Sequence, residues 1–116
     1  MYFQIDHDPI EDGHLVVASG ELDMSATPRL STVLAIASAR KGGRLVLDLS
    51  DVSFIDSTVL GTILKAAAQL DESGTNLAVV VPEGPVRRLL EISNLTQRFR
   101  LFATRSAALA ADGAPA

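Results

Sequence analysis

The sequence predicts an α/β fold: one domain, with a mixed, mostly parallel sheet opened by an N-terminal hairpin and packed with about four helices. Three observations point there. Leu45-Val46-Leu47-Asp48-Leu49 and Leu77-Ala78-Val79-Val80-Val81 are nearly continuous apolar runs, the pattern of strands covered on both faces. Segments with helical periodicity follow each run. Two strand-like stretches stand close together before the first helical signal, which suits an antiparallel pair.

In chain order, Tyr2 to Ile5 is the first strand, followed by turn-forming Asp8-Pro9 and Glu11-Asp12-Gly13. His14 to Ser19 is the second. At "TPRLSTVLAIASARKGG", Thr27 is placed to cap a helix and Pro28 to take its first position, where a missing N–H costs nothing. Leu30, Val33, Leu34 and Ala37 share one face of it. Arg40 and Lys41 fall in its last turn, favoured by the helix dipole, and Gly42-Gly43 ends it. The third strand is Leu45 to Leu49. A second helix starts near Ser57, with Leu60, Ile63, Leu64, Ala67 and Leu70 inward. Thr58, Gly61, Thr62, Lys65, Gln69 and Glu72 lie on its outer side, and Gly74 closes it. After the strand Leu77 to Val81, a third helix follows Pro85, with Val86, Leu89 and Leu90 inward and Arg87-Arg88 outward. Phe99 to Phe102 is a weaker last strand, and Thr104 to about Ala111 a fourth helix. The order β-β-α-β-α-β-α-β-α requires right-handed crossovers and a parallel core sheet.

The 116 residues fit one domain with its own core, and 47% of them are apolar. With no cysteine, thiol catalysis and cysteine-ligated zinc are excluded. The net charge of −4 and the scattered Lys and Arg residues argue against nucleic acid as a partner. No apolar run reaches the ~20 residues of a membrane span. The polar, acidic N-terminus does not read as a signal peptide. The expectation is a small soluble, cytoplasmic domain without direct membrane insertion.

The motifs exclude more than they assign. Neither G-x-G-x-x-G nor G-x-x-x-x-G-K-[ST] follows a strand, which argues against nucleotide binding of those kinds. His7 and His14, with Asp6, Asp8, Glu11 and Asp12 around them, read as a solvated acidic loop rather than a metal site. No G-x-S-x-G elbow supports a hydrolase triad. A phosphorylated-aspartate receiver needs an acidic Mg²⁺ pair at the end of its first strand, and here Glu21 and Asp23 are displaced into a loop. That leaves Asp56-Ser57-Thr58, at the step from strand to helix. Asp and Ser are both ordinary helix caps, and spacing alone leaves capping and function open.

Three blocks carry a family resemblance. "SGELDMSATPRL" (Ser19 to Leu30), "LVLDLSDVSFIDSTVLGTIL" (Leu45 to Leu64) and "VVPEGPVRRLLEISNL" (Val80 to Leu95) resemble, in order, the segments of a STAS domain of the anti-sigma factor antagonist group, and "LFATRSAAL" resembles its closing segment. The resemblance implies a STAS domain over residues 1–111, with 112–116 a frayed tail. It implies a phosphorylation-controlled binding protein, not an enzyme, with no cofactor, no metal and no catalytic residue. The unmodified form binds an anti-sigma factor that is also a serine kinase with a histidine-kinase-like ATPase fold, and a metal-dependent serine phosphatase restores that form. The modified residue is Ser57, with Thr58 the weaker candidate. The binding surface is Asp23, Asp56, Ser57, Thr58, Gly61, Thr62 and Lys65. Val59 departs from the family's usual glycine and is expected to add bulk beside the hydroxyl. The alternative is a STAS subunit of a lipid-transport ATPase complex, or a signalling scaffold, that does not use Ser57 phosphorylation.

Overall fold

The computed structural model describes residues 2–39, 43–93 and 99–111. The elements are β1 (Phe3–Ile10), β2 (Gly13–Leu22), a 3₁₀ turn (Met24–Ala26), α1 (Thr27–Ala37), β3 (Arg44–Ile55), α2 (Ser57–Glu72), β4 (Asn76–Val80), α3 (Pro85–Ile92), β5 (Arg100–Phe102) and α4 (Arg105–Ala110). The sheet runs in sequence order, β1-β2-β3-β4-β5, antiparallel at β1/β2 and parallel thereafter. Both the element order and the mixed sheet match the expectation.

Successive right-handed crossovers in one direction put α1, α2 and α3 on the same face. Their side chains Leu30, Leu34, Val59, Ile63, Val86 and Leu90 share a core with Leu45, Leu47 and Leu49 of β3. Strand alternation sends Val46 to the other face, where it meets Leu15, Val80 and Ala108 of α4. The two-faced burial explains why β3 and β4 read as unbroken apolar runs.

Several boundaries differ from the expectation. β1 continues through Asp8-Pro9 because it is an edge strand, where a proline's missing N–H removes no ladder bond. The hairpin turns at Glu11-Asp12. Gly13 opens β2 so close to β3 that a Cβ there would lie 1.8 Å from the Arg44 carbonyl oxygen. Thr27 does not cap α1. Asp23 caps the preceding 3₁₀ turn by accepting from the Ser25 N–H (2.9 Å), and the Thr27 hydroxyl donates to the Met24 carbonyl (2.8 Å). Pro28 lies within the first two helical positions, as its fixed φ favours. α1 ends at Ala37, where the Ser38 hydroxyl turns back onto the Ala35 carbonyl and competes with another helical turn. Arg40, Lys41 and Gly42 lie outside the described residues, as does the tail 112–116. Gly74, at φ +77°, does end α2. Arg87 is not turned outward. Its guanidinium donates to the Val81 carbonyl (2.8 Å) and lies between Glu83 and Glu91, leaving the side chain 19% exposed.

The largest departure is β3, which runs six residues beyond Leu49, to Ile55. β2 pairs it to the end, but two irregularities in the register give β3 an extra residue each time, once between Asp48 and Asp51 and once between Val52 and Phe54. Such bulges bend and twist a strand. At the first, the Asp48 carboxylate takes the Ser50 N–H (2.8 Å) and its hydroxyl, in place of a ladder bond. β4 stops opposite the same residue, with Val80 against Asp48.

Asp48 is only 2% exposed and faces α4, where the Arg105 Nε donates to its second oxygen at 2.6 Å. Burial raises the carboxyl's pKa, but the Ser50 and Arg105 hydrogen bonds outweigh it and hold the group below its ordinary 3.8. A depressed carboxylate stabilises the fold above the unfolded pKa and loses that contribution as pH falls through the folded value. We therefore expect Arg105→Ala to cost about 1–3 kcal/mol, less than a fully buried pair because the arginine is half-exposed. Urea unfolding should show the wild type losing this stability below about pH 4, with a flatter acid limb in Asp48→Asn.

Candidate functional site

The site is the corner where β3 hands over to α2. Asp56 is the N-cap of α2: its Oδ1 accepts from the Val59 N–H (3.0 Å) and from the Thr58 hydroxyl (2.6 Å). Asp23 does the same for its own turn, accepting from the Ser25 N–H and hydroxyl. Both carboxyls are held below the ordinary carboxylate value, Asp56 chiefly by the Thr58 hydroxyl and Asp23 chiefly by that of Ser25. Both are ionised at neutral pH, and they lie near enough to repel one another.

Between the two residues of the Asp56 cap stands Ser57. It is exposed, and its hydroxyl makes no hydrogen bond among the described residues. The capping question is thus settled at the level of geometry: Asp56 caps, Thr58 is tied to it, and Ser57 is left uncommitted at the first position of the helix.

Beyond it, Thr58, Gly61, Thr62 and Lys65 line one side of an open groove of about 570 Å³, faced across by Ser31 and Ala35 of α1. Thr62 donates to the Thr58 carbonyl (2.9 Å), fixing its rotamer along the helix. A Cβ on Gly61 would meet nothing within 4 Å, so no internal packing requires the glycine. The structure brings four of the sequence-predicted contact residues to one groove, with Ser57 and Asp56 at its end and Asp23 on the adjoining turn.

Val59 corrects an expectation. It is wholly buried in the main core and adds no bulk beside the Ser57 hydroxyl. The buried stripe of α2 is Val59, Ile63, Ala67 and Leu70, with Leu60 and Leu64 only half-buried. The spacing i, i+4, i+8, i+11 was available in the sequence, but an apolar run offers two overlapping stripes and the sheet beneath selects one. Phe54, 44% exposed, and Met24, 67% exposed, are large apolar side chains at this end of the sheet that sequence reasoning did not single out. The histidine cluster weighed from sequence lies elsewhere. His7 and His14 pair with each other, Nε2 to Nδ1 at 2.8 Å across the hairpin, and among the described residues no group of three or more potential ligands gathers to hold a metal. Nor is any described helix long and apolar enough to cross a membrane.

A β-hairpin followed by strand–helix units, with a capped helix start offering a bare hydroxyl, defines a small α/β domain built around an exposed helix terminus. The STAS domain family matches residues 7–108, and the chain belongs to that family. It is 30% identical to the anti-sigma-B factor antagonist of Listeria monocytogenes, over 70% of this chain and 71% of that protein. Among solved structures, an anti-sigma factor antagonist from Mycobacterium paratuberculosis superimposes with a TM-score of 0.83 at 27% identity, covering 93% of this chain and 92% of the other. The Bacillus cell fate determinant SpoIIAA in its phosphorylated form gives a TM-score of 0.70 at 21% identity, covering 91% and 96%, a likeness of fold alone.

Two variants test the packing of this corner. Val59→Gly should destabilise by about 2–4 kcal/mol through the lost side chain and helix propensity. Gly61→Ala should instead stabilise by up to ~1 kcal/mol, since nothing crowds the new methyl group. Denaturant unfolding measures both.

Proposed function

We propose that this protein is an anti-sigma factor antagonist whose unmodified form binds an anti-sigma factor through the Ser57 corner and the α1–α2 groove, and that phosphorylation of Ser57 ends the binding. The observation that carries the reading is the uncommitted Ser57 hydroxyl at the start of α2, next to a threonine already tied to the cap. A kinase finds a free acceptor at Ser57, whereas Thr58 must first break its bond to Asp56. The named relatives support the same class of partner. The anti-sigma factor would itself be the serine kinase, and a metal-dependent phosphatase would reset the switch.

The physics of the switch follows from the surroundings. Phosphorylation adds about −1.5 to −2 charges at neutral pH. At the N-terminus of α2 the helix dipole favours that anion by roughly 0.3–1 kcal/mol, so the modified domain stays folded. A docked partner changes the balance. Its surface fits a neutral hydroxyl, and a dianion placed there loses water without compensation, at a cost of several kcal/mol. Asp23 and Asp56, already ionised, add like charge to the same corner. Each ~1.4 kcal/mol is tenfold in affinity, so the loss amounts to two or more decades.

Intact-mass measurement after incubation with ATP and candidate anti-sigma factors tests the reading, with the modified residue mapped by fragmentation. One phosphate on Ser57 is expected. Ser57→Ala should keep fold and binding but take no phosphate, and Ser57→Asp should bind at least tenfold more weakly. Equal affinity of Ser57→Asp and wild type would overturn the switch. Co-purification with an ATP-binding membrane transporter component, and no phosphate on Ser57, would favour the lipid-transport alternative.

A further inference from the structure

We propose that the cleft between the overhanging end of β3 and α3 is an anchor pocket for an apolar side chain carried on a short extended segment of the same anti-sigma factor; the inference rests on the reading of Ser57 given above. β4 ends opposite Asp48, so β3 projects past it. Among the described residues, the backbone of residues 51–55 bonds only toward β2, and nothing pairs it on the β4 side. Such an edge presents unpaired backbone N–H and C=O groups, a template that an extended segment of another polypeptide fits.

Beside that edge, Pro85, Val86 and Leu89 of α3 face Ser53, Phe54 and Ile55 across a cleft of about 270 Å³. The volume lies below the ~300–1,000 Å³ of ordinary small-molecule sites, and the walls are mostly apolar. It suits one or two side chains rather than a cofactor. The bulges in β3 keep the overhang from forming a long flat ladder, so the incoming segment is short. Phe54, large and 44% exposed, forms part of the wall three residues before Ser57. Three residues of chain span at most about 11 Å, so Phe54 and Ser57, both exposed, fall within the footprint of a single docked partner. An aromatic residue is the kind that dominates binding energy, and Ser57, covered by the same partner, then decides whether the complex is allowed.

The test is calorimetric titration of unphosphorylated protein with its anti-sigma factor, together with amide exchange of the complex. Phe54→Ser should weaken binding at least tenfold while remaining fully folded at the titration temperature, with some lowering of the unfolding midpoint from the ring area it loses, and Phe54→Leu should restore most of the affinity. Amides of residues 51–55 and 86–89 should slow in the complex. If Phe54→Ser binds like wild type while Ser57→Asp does not, the anchor is wrong and the Ser57 switch stands. If Ser57→Asp binds like wild type, the reading beneath both is wrong. A Phe54→Ser protein that turns from dimer to monomer with its affinity unchanged would assign the cleft to a second copy of the chain and overturn the proposal.

Discussion

The corner that carries Ser57 depends on one carboxylate nine residues upstream. Asp48 is the single charged side chain among the buried described residues, and both of its oxygens are occupied, one by Ser50 and the other by Arg105. The first contact substitutes a side chain for a ladder bond and closes a bulge. The second fastens α4 over the far face of the sheet. Pairing with β4 ends at this same residue, and the bulge that follows bends the rest of β3, which delivers Asp56 and Ser57 past the end of β4. Had position 48 been apolar, nothing here would take the Ser50 N–H in the bent strand.

The corner itself uses the same device at smaller scale. Asp23-Met24-Ser25, Asp48-Leu49-Ser50 and Asp56-Ser57-Thr58 each tie an aspartate to the hydroxyl two residues on. The residue between is lifted away from the bond. In the buried instance Leu49 drops into the core. In the exposed instances, Met24 and Ser57 are displayed to solvent. Display of Ser57 is thus a property of local geometry, and it does not depend on what binds.

Much of this was legible in the sequence. The apolar runs gave the two central strands, the periodic stripes gave the helices, and the D-S-T step gave the corner, because each is a local pattern with a local cause. What was not legible depends on neighbours. The length of β3 was hidden because Asp51 and Ser53 break the apolar run, and only the ten-residue β2 beside it keeps them in the sheet. The burial of Val59 was hidden because α2 can roll slightly about its axis, and the register is set by the strands below. Arg87 looked solvent-facing by position, yet a carbonyl one turn before its helix draws it back. The outer face of α2 was read correctly since polar residues define it without help from the rest of the fold.

The sheet's strict sequence order has a consequence for how the chain comes together. Every strand after the first lies beside the one made just before it, so each closure joins neighbours and no late segment must thread between earlier ones. A chain leaving the ribosome can add one strand–helix unit at a time to a growing edge. Only α4 must wait, because its Arg105 reaches back across the finished sheet to a residue synthesised long before it. That last step is a latch, fitted after the wall behind it is standing.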